Sequence, residues 1–252
     1  MDLQLTGRTC LITGASSGIG HGLAQILARE GVRLALAGRQ ESALVALRDE
    51  LAEQGLGEAT VCVGDVTTAD GVAAVCDQAQ AGLGVIEMLV NNAGGSRPLA
   101  GAGTDEEWAE SMALNFSAAR RMSTRLVPGM VQAGWGRVIN VSGAVVAPNV
   151  NAAAPAKAAL VSWSKSLATE LAPKGITVNC VAPGRISTRQ ILENLHPTAE
   201  SRQAYIDQYI PMGRFGEPAE IANVIAFYLS PLSNYVTSTT VPVDGGLHRL
   251  AF

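Results

Sequence analysis

Three glycines, at positions 14, 18 and 20, form the motif whose spacing points most directly to chemistry. They lie in the run T-G-A-S-S-G-I-G at 13–20, between an apolar stretch and a stretch with helical spacing of apolar residues. Glycine lets the backbone turn tightly and approach a ligand without a Cβ, and a helix N-terminus offers free N–H groups to a phosphate. The pattern therefore predicts a turn that binds the phosphates of a dinucleotide. The contacts predicted in this turn are Gly14, Ser16, Ser17, Gly18, Ile19 and Gly20.

Strand-like and helix-like segments alternate along the chain around this turn. Short apolar runs predict strands at 9–12, 32–37, 59–63, 86–90, 137–141, 176–181 and 239–243. Helical spacing and capping signals predict helices at 21–30, 41–54, 68–82, 104–130, 152–171 and 218–229. The alternation indicates a parallel sheet, and the length suits one domain over 1–252. The polar, less periodic stretch at 185–216 is predicted to be a partly helical flap over the substrate.

Polar side chains follow the predicted strands. In open α/β sheets, ligands bind outside the carboxyl ends of the strands, so residues at those ends are candidates for the site. They are Thr13, Asp65, Asn91, Ser142 and Pro183.

The composition excludes several classes of function. A formal net charge of -4, with no basic stripe, argues against nucleic acid as a partner. The chain lacks an apolar run long enough to cross a membrane, and its first residues lack the pattern of a secretory leader, so we expect a cytoplasmic protein. Four cysteines without C-x-x-C spacing are predicted to be reduced core residues, and the three histidines form no metal-binding pattern.

Stretches along nearly the whole chain resemble the short-chain dehydrogenase/reductase family. They are T-G-A-S-S-G-I-G at 13–20, Asp65-Val66, N-N-A-G at 91–94, Asn115, Ser142, Lys157, P-G-R-I-S-T at 183–188 and D-G-G at 244–246. The resemblance implies a single-domain, Rossmann-type, doubly wound sheet of about seven parallel strands with helices on both faces. It also implies a nicotinamide cofactor, a small-molecule substrate, and commonly a homotetramer or homodimer built on the helices after Thr104 and Ala152.

The resemblance also assigns roles to individual residues. The three glycines would hold the pyrophosphate, and Asp65 with Val66 the adenine. The ribose and nicotinamide region would be lined by Asn91, Ala93, Gly94 and Lys157. Ile186 and Thr188 would meet the carboxamide, and Pro183 and Gly184 are predicted cofactor contacts in the same segment. The catalytic residues retained from the family would be Ser142, Lys157 and Asn115.

The end of the second predicted strand bears on the choice of cofactor. Relatives that use NAD tend to carry an acidic residue there for the ribose hydroxyls. This chain instead reads Ala37-Gly38-Arg39, and a guanidinium can make a charge-assisted contact with a 2′-phosphate. The sequence therefore favours NADP(H) over NAD(H).

One departure from the family pattern concerns its catalytic tyrosine, which normally lies four residues before the lysine. That position is Ala153 here, and the Ser142-to-Lys157 interval of 15 residues is two shorter than is usual in the family. When the tyrosine position is counted from Ser142 instead, it falls at Pro155. All four tyrosines of the chain come after residue 204. Since a positioned general acid contributes roughly 10²–10⁴-fold, its loss would severely slow ordinary ketone reduction.

Three accounts of this departure stay open at the level of sequence. In the first, a carbonyl is still reduced, and Lys157 or a water bound to it donates the proton, assisted by Ser142 and Asn115. In the second, Tyr205 or Tyr209 of the flap supplies the phenol. In the third, the chemistry differs: imine or alkene reduction, a non-redox isomerase or dehydratase, or cofactor binding without turnover. We predict an NADP(H)-dependent oxidoreductase similar to 3-oxoacyl-thioester and ketone reductases, with no metal.

Overall fold

Seven strands form one sheet in the computed structural model of the chain, which describes residues 2–145 and 149–248. Residues 1, 146–148 and 249–252 of the predicted domain lie outside the described residues. The strands are β1 (Thr9–Thr13), β2 (Arg33–Gly38), β3 (Thr60–Val63), β4 (Met88–Asn91), β5 (Gly136–Val141), β6 (Ile176–Pro183) and β7 (Thr240–Val243). Every neighbouring pair is parallel, in the order β3-β2-β1-β4-β5-β6-β7. The predicted parallel sheet is confirmed.

Helices cover both faces of this sheet. The α-helices are α1 (Gly18–Arg29), α2 (Glu41–Glu53), α3 (Ala69–Leu83), α4 (Asp105–Met112), α5 (Ala118–Ala133), α6 (Ala153–Leu171), α7 (Ala199–Tyr209) and α8 (Pro218–Leu229). Alternate residues of β1 enter two different cores: Cys10 and Ile12 pack on the side of α1 and α8, and Leu11 packs on the side of α3 and α5. The predicted fold class, a single-domain doubly wound α/β fold, is therefore confirmed.

Several element boundaries differ from those predicted. Helix α1 begins at Gly18 rather than at 21, because the glycines of the motif themselves form its first turn. Strand β4 covers 88–91 rather than 86–90. The long helix predicted at 104–130 begins with the expected capping box of Thr104 and Glu107 but contains a π-helical turn, π1 (Ala113–Ser117), between α4 and α5. A second π-helix, π2 (Gln190–Leu195), precedes α7 in the predicted flap.

The strand order reverses between β1 and β4. The chain runs outward from β1 to β3 and then returns to place β4 on the other side of β1. Ligands of such sheets bind in the crevice at this reversal, outside the carboxyl ends of the strands. Thr13 and Asn91 end these two strands. The fold thus places the glycine motif and the N-N-A-G segment side by side.

The four cysteines are buried and free, as predicted. Within the described part of the chain, no helix is both long and apolar enough to cross a membrane. No group of three or more His, Cys, Asp or Glu side chains among the described residues is arranged to hold a metal ion.

Candidate active site

The glycine motif forms a tight turn that tolerates no side chains at its key positions. Gly14 and Gly18 have φ values of +65° and +55°, in the left-handed region that favours glycine. A Cβ on Gly20 would overlap the carbonyl group of Gly14. The amide of Asn92 fastens the turn to the end of β4, donating to the carbonyl groups of Thr13 and Gly14 at 3.0 and 3.1 Å. The turn is therefore preorganised, with the backbone open to a ligand.

An open cleft of about 420 Å³ lies against the N-terminus of α1. Ser17 precedes the helix without capping it through its side chain, so N–H groups of the first turn stay available. Gly18 and Thr188 both line this cleft, and they lie close together, since a Cβ on Gly18 would come within 3.0 Å of Thr188 Cγ2. The structure thus brings together the predicted glycine turn and the predicted 183–188 segment at a helix N-terminus, where anions bind favourably.

Arg39 and Asp65 lie beside the carboxyl ends of β2 and β3. The main-chain N–H and the hydroxyl of Thr67 donate to Asp65 Oδ1 at 3.0 and 2.8 Å. These two hydrogen bonds, together with the nearby Arg39 charge, lower the pKa of Asp65. Arg39 itself is exposed and forms no ion pair with any residue of the described ranges. An exposed cation is therefore available where the sequence predicts the adenosine end of the cofactor.

The side chain of Asn91 is buried in the sheet and bonds to the adjacent strand. Its side chain is 4% exposed, and its amide nitrogen donates to Asn140 Oδ1 at 2.8 Å. Asn140 in turn donates to the Ser164 hydroxyl at 2.8 Å. The buried Asn91 Oδ1 has no hydrogen-bond partner among the described residues. The structure therefore places this predicted cofactor residue in a buried amide network between adjacent strands.

Lys157 lies at the centre of the candidate site. It is on α6 with 8% of its surface exposed, and its ammonium group donates to the carbonyl oxygen of Val141 at 2.7 Å. Burial lowers the pKa of Lys157 from 10.5 to about 8, because an apolar environment disfavours the charged form. A lysine with such a pKa can donate and regain a proton near neutral pH.

Asn115 and Gly94 lie beside this lysine. A Cβ on Gly94 would come within 2.8 Å of Lys157 Nζ and 3.1 Å of Asn115 Oδ1, so only glycine leaves room for both groups. Asn115 Oδ1 also accepts the N–H of Gly95 at 3.0 Å, and its amide nitrogen donates to the carbonyl group and the hydroxyl of Ser111. The structure thus brings together three of the predicted site residues: Gly94, Asn115 and Lys157.

Ser142 is directed towards the neighbouring strand. Its N–H and its hydroxyl both donate to the carbonyl oxygen of Val181 in β6, at 2.8 and 3.2 Å, and the residue is buried. No hydrogen bond joins Ser142 to Lys157 within the described ranges. In this conformation the Ser142 hydroxyl proton is already used in a hydrogen bond. The ammonium group of Lys157, by contrast, has protons that are not bonded to Val141.

Ala153 is the first residue of α6 and is 7% exposed. Its N–H donates to Asn151 Oδ1 at 2.9 Å. Asn151 also accepts the N–H of Arg97 at 3.1 Å and donates to the Ser96 hydroxyl at 2.8 Å. This asparagine, which the sequence reading missed, therefore fastens the loop after β4 to the start of α6. Its signal in the sequence is an Asn just ahead of a predicted helix.

The segment after β6 passes close to the C-terminal D-G-G. The N–H of Gly184 donates to the carbonyl oxygen of Val243 at 3.0 Å, and a Cβ on Gly184 would press against Asp244. Ile186 is buried and pairs with Gly216 across a short bridge. These contacts hold the predicted carboxamide-binding segment at the carboxyl end of β6.

Comparison with known proteins decides the family. A sequence model described as enoyl-(acyl carrier protein) reductase matches residues 14–248. A structure of a short-chain type dehydrogenase/reductase from Mycobacterium marinum is 33% identical, with a TM-score of 0.89 over 98% of both chains. The chain belongs to the short-chain dehydrogenase/reductase family.

Relatives within this family are reductases. A 3-oxoacyl-[acyl-carrier-protein] reductase from Vibrio cholerae is 38% identical over 98% of this chain and 100% of its own length. One from Pseudomonas aeruginosa is 39% identical, over 98% and 99%. A structure of L-sorbose reductase from Gluconobacter frateurii, complexed with NADPH and L-sorbose, is 32% identical with a TM-score of 0.94, over 99% of this chain and 100% of its own.

The two tyrosines considered as alternative acids lie in an aromatic cluster of this short-chain dehydrogenase/reductase. The ring of Tyr205 lies 4.8 Å from that of Tyr209 and 4.7 Å from that of His196, between ring centres. The guanidinium carbon of Arg185 lies 4.7 Å from the centre of the Tyr205 ring. The cluster packs the segment after β6 together, and no hydrogen bond among the described residues joins either tyrosine to Lys157.

Proposed function

We propose that this short-chain dehydrogenase/reductase reduces a carbonyl group with NADPH and uses Lys157 as the proton donor. The chain is an oxidoreductase of this family, and its relatives reduce 3-oxoacyl groups or a sugar. The observation that carries the proposal is the buried Lys157 ammonium beside Gly94 and Asn115, with a pKa lowered to about 8. A small-molecule substrate would bind here, under a flap formed by residues 185–216.

The residues present fit a dinucleotide cofactor. The turn at Gly14, Gly18 and Gly20 is a cradle that Cβ atoms would fill, and the N–H groups of α1 face an open cleft. The exposed Arg39 suits a 2′-phosphate, and the L-sorbose reductase of similar structure was solved with NADPH. This chain uses NADP(H). The remaining predicted contacts, Asp65, Val66 and 183–188, lie at the same edge of the sheet.

The chain's own groups then have separate tasks. When bound in the glycine cradle, a reduced nicotinamide would supply the hydride for the carbonyl carbon. Lys157 donates a proton to the carbonyl oxygen, which becomes a hydroxyl, and the neutral amine regains its proton from water. The Val141 carbonyl group holds the ammonium in place, and Asn115 fixes the Gly94–Gly95 backbone next to it. Burial contributes by keeping the pKa of Lys157 near the working pH.

We also propose that this site lacks the catalytic phenol that is usual in the family, because Ala153 occupies the position of the tyrosine. Ala153 lies four residues before Lys157, one helical turn away on the same face of α6. Its methyl group has no proton to give. Tyr205 and Tyr209 are weaker candidates because their rings pack against each other, and the ring of Tyr205 also packs against His196.

Alkene reduction is a second candidate function. The family model that matches residues 14–248 is described as an enoyl reductase. Reduction of an activated C=C bond does not depend on a proton donor to a carbonyl oxygen in the way that ketone reduction does. It would therefore not require a tyrosine in place of Ala153. Imine reduction, a non-redox reaction and cofactor binding without turnover remain alternatives from the sequence.

A substrate panel tests the proposal. NADPH oxidation is followed by absorbance with a ketone, a 3-oxoacyl thioester, an enone and an imine, each offered separately to the unmodified chain. We expect turnover of a ketone or 3-oxoacyl thioester above the rate of NADPH loss without substrate. Turnover of the enone alone would instead establish the second candidate, and NADPH binding without any oxidation would overturn both.

The cofactor assignment leads to a prediction at Arg39. Arg39→Ala is expected to weaken NADPH binding by about 10-fold or more while leaving NADH binding nearly unchanged, because one charge-assisted contact contributes about 1.5–3 kcal/mol. Both dissociation constants are measured by fluorescence titration. Arg33→Ala is the matched control, since Arg33 is an exposed arginine at the opposite end of the same strand. An equal loss for the two cofactors would contradict the assignment.

A cytoplasmic location and a homotetramer or homodimer stay predictions from the sequence and the family resemblance.

A further inference from the structure

The Gly94–Gly95 segment is contacted by side chains from both π-helices of the described chain. Asn115 of π1 accepts a hydrogen bond from the N–H of Gly95. Gln190, the first residue of π2, also lies against Gly95. π-Helical turns are rare and are found frequently at functional sites. Because two of them contact one short segment next to Lys157, Gln190 is a candidate for a functional role.

The amide of Gln190 lies close to this segment. Its Nε2 lies 2.8 Å, and its Oε1 3.5 Å, from the point that a Cβ on Gly95 would occupy. The side chain is partly exposed, and its amide forms no hydrogen bond with any residue in the ranges 2–145 and 149–248. A polar amide therefore stands free at the edge of the candidate active site, in room that exists only because residue 95 is glycine.

Arg97 lies beside the same point but is already engaged. Its Nη1 is 3.2 Å from the Cβ position of Gly95 and donates to the carbonyl group of Ser96 at 3.0 Å. Its Nη2 forms an ion pair with Glu110 at 3.3 Å. Arg97 is thus held in place, and its charge is partly neutralised by Glu110. Gln190 is the neighbouring group that is free to bind a ligand.

The proposed acid and the free amide lie beside consecutive residues. Lys157 and Asn115 lie at Gly94, whereas Gln190 and Arg97 lie at Gly95. One oxygen of a substrate would meet the acid, and a second oxygen, near the first, would meet the neutral amide.

We propose that Gln190 determines substrate specificity by donating a hydrogen bond to a second oxygen of the substrate, near the reduced carbonyl. This inference rests on the proposed reduction and names its substrate class. Two kinds of compound carry such an oxygen: hydroxyketones, through the hydroxyl, and 3-oxoacyl thioesters or esters, through the second carbonyl. A plain ketone lacks it.

Equilibrium binding tests the proposal without relying on turnover. Dissociation constants are measured by calorimetry for two matched pairs: 1-hydroxy-2-butanone with 2-butanone, and methyl acetoacetate with 2-pentanone. The full chain is used with saturating NADP⁺, which cannot reduce them, and again without cofactor. One made or lost hydrogen bond corresponds to up to about 10-fold in affinity. We expect the oxygen-bearing member of at least one pair to bind up to about 10-fold more tightly, and Gln190→Leu to abolish that difference.

Two further variants separate binding from structure. Gln190→Glu keeps the shape but removes the donor, so we expect it to lose the preference for methyl acetoacetate, whose second oxygen can only accept a hydrogen bond. Gln203→Leu alters an exposed glutamine of α7 whose amide donates to Asp207, and this variant should keep the difference. A merely structural role for Gln190 would weaken both members of each pair equally.

The outcomes are distinct from those of the proposed function. Equal affinities within both pairs in the unmodified chain, or a preference that survives Gln190→Leu, would overturn the inference even if ketones are reduced. A preference that depends on Gln190, together with no NADPH oxidation by any carbonyl compound, would support the binding role and overturn the proposed reduction.

Discussion

Replacing Ala153 with tyrosine is expected to raise kcat for ketone reduction, by at most the about 10²–10⁴-fold that a positioned general acid contributes, because Lys157 already donates the proton in the unmodified chain. Residue 153 begins α6 and faces the same side of that helix as Lys157, four residues on. A phenol there would lie within reach of the lysine charge, which favours its ionised form and makes it a better acid. The measurement is steady-state NADPH oxidation with the ketones of the substrate panel.

Ala153→Phe is the matched control for this gain. It adds the same ring, with the same steric cost to a residue that is 7% exposed, but no hydroxyl. We expect no increase for this variant. Equal rates for the two variants, or no gain with tyrosine while NADPH still binds, would show that position 153 is not where this fold accepts a catalytic phenol.

The regular part of the fold was predictable because its signals are local. Apolar runs marked all seven strands, and β4 shifted by only one or two residues. The errors came where a side chain competes with the helix backbone. Asn115 donates to the Ser111 carbonyl group four residues earlier, within a stretch that widens into a π-turn, and helical spacing alone does not show such a turn.

The site was only partly predictable. The glycine motif carries its own signal, since φ values near +60° and close backbone packing require glycine. The roles of Asn151 and Gln190 depend on contacts between segments far apart in sequence: residue 151 with 96–97, and residue 190 with Gly95. Ser142 was predicted as a site residue from its type and its position at a strand end. Those two features did not reveal that its hydroxyl bonds to β6.

Replacing Lys157 with methionine is expected to lower kcat for carbonyl reduction by about 10²–10⁴-fold, because it removes the proposed acid. Methionine keeps an unbranched side chain of similar length in the buried position. The matched control is Lys165→Met, which alters an exposed lysine on the same helix and should leave kcat unchanged. NADPH affinity is measured separately, since the family resemblance also gives Lys157 a contact with the ribose.

The pH profile tells loss of an acid from loss of packing. With a pKa lowered to about 8, Lys157 is largely protonated at pH 7 and largely neutral at pH 9. The unmodified chain should therefore lose kcat for reduction as pH rises through about 8, and the residual activity of Lys157→Met should not show that fall. A profile that keeps the same fall in the variant would assign the proton to another group.

The pH dependence of stability gives an independent check, because its expected direction is opposite to that of kcat. A lysine whose folded-state pKa is depressed binds fewer protons when folded than when unfolded between about pH 8 and 10.5, so this group makes the folded state more stable as pH rises through that window. Below it, the buried charge is a cost. Lys157→Met removes that cost and should be at least as stable as the unmodified chain to urea at pH 7. An inactive but stable variant would place the defect in the chemistry, whereas an unfolded one would show that the ammonium bond to Val141 outweighs the cost of burying the charge.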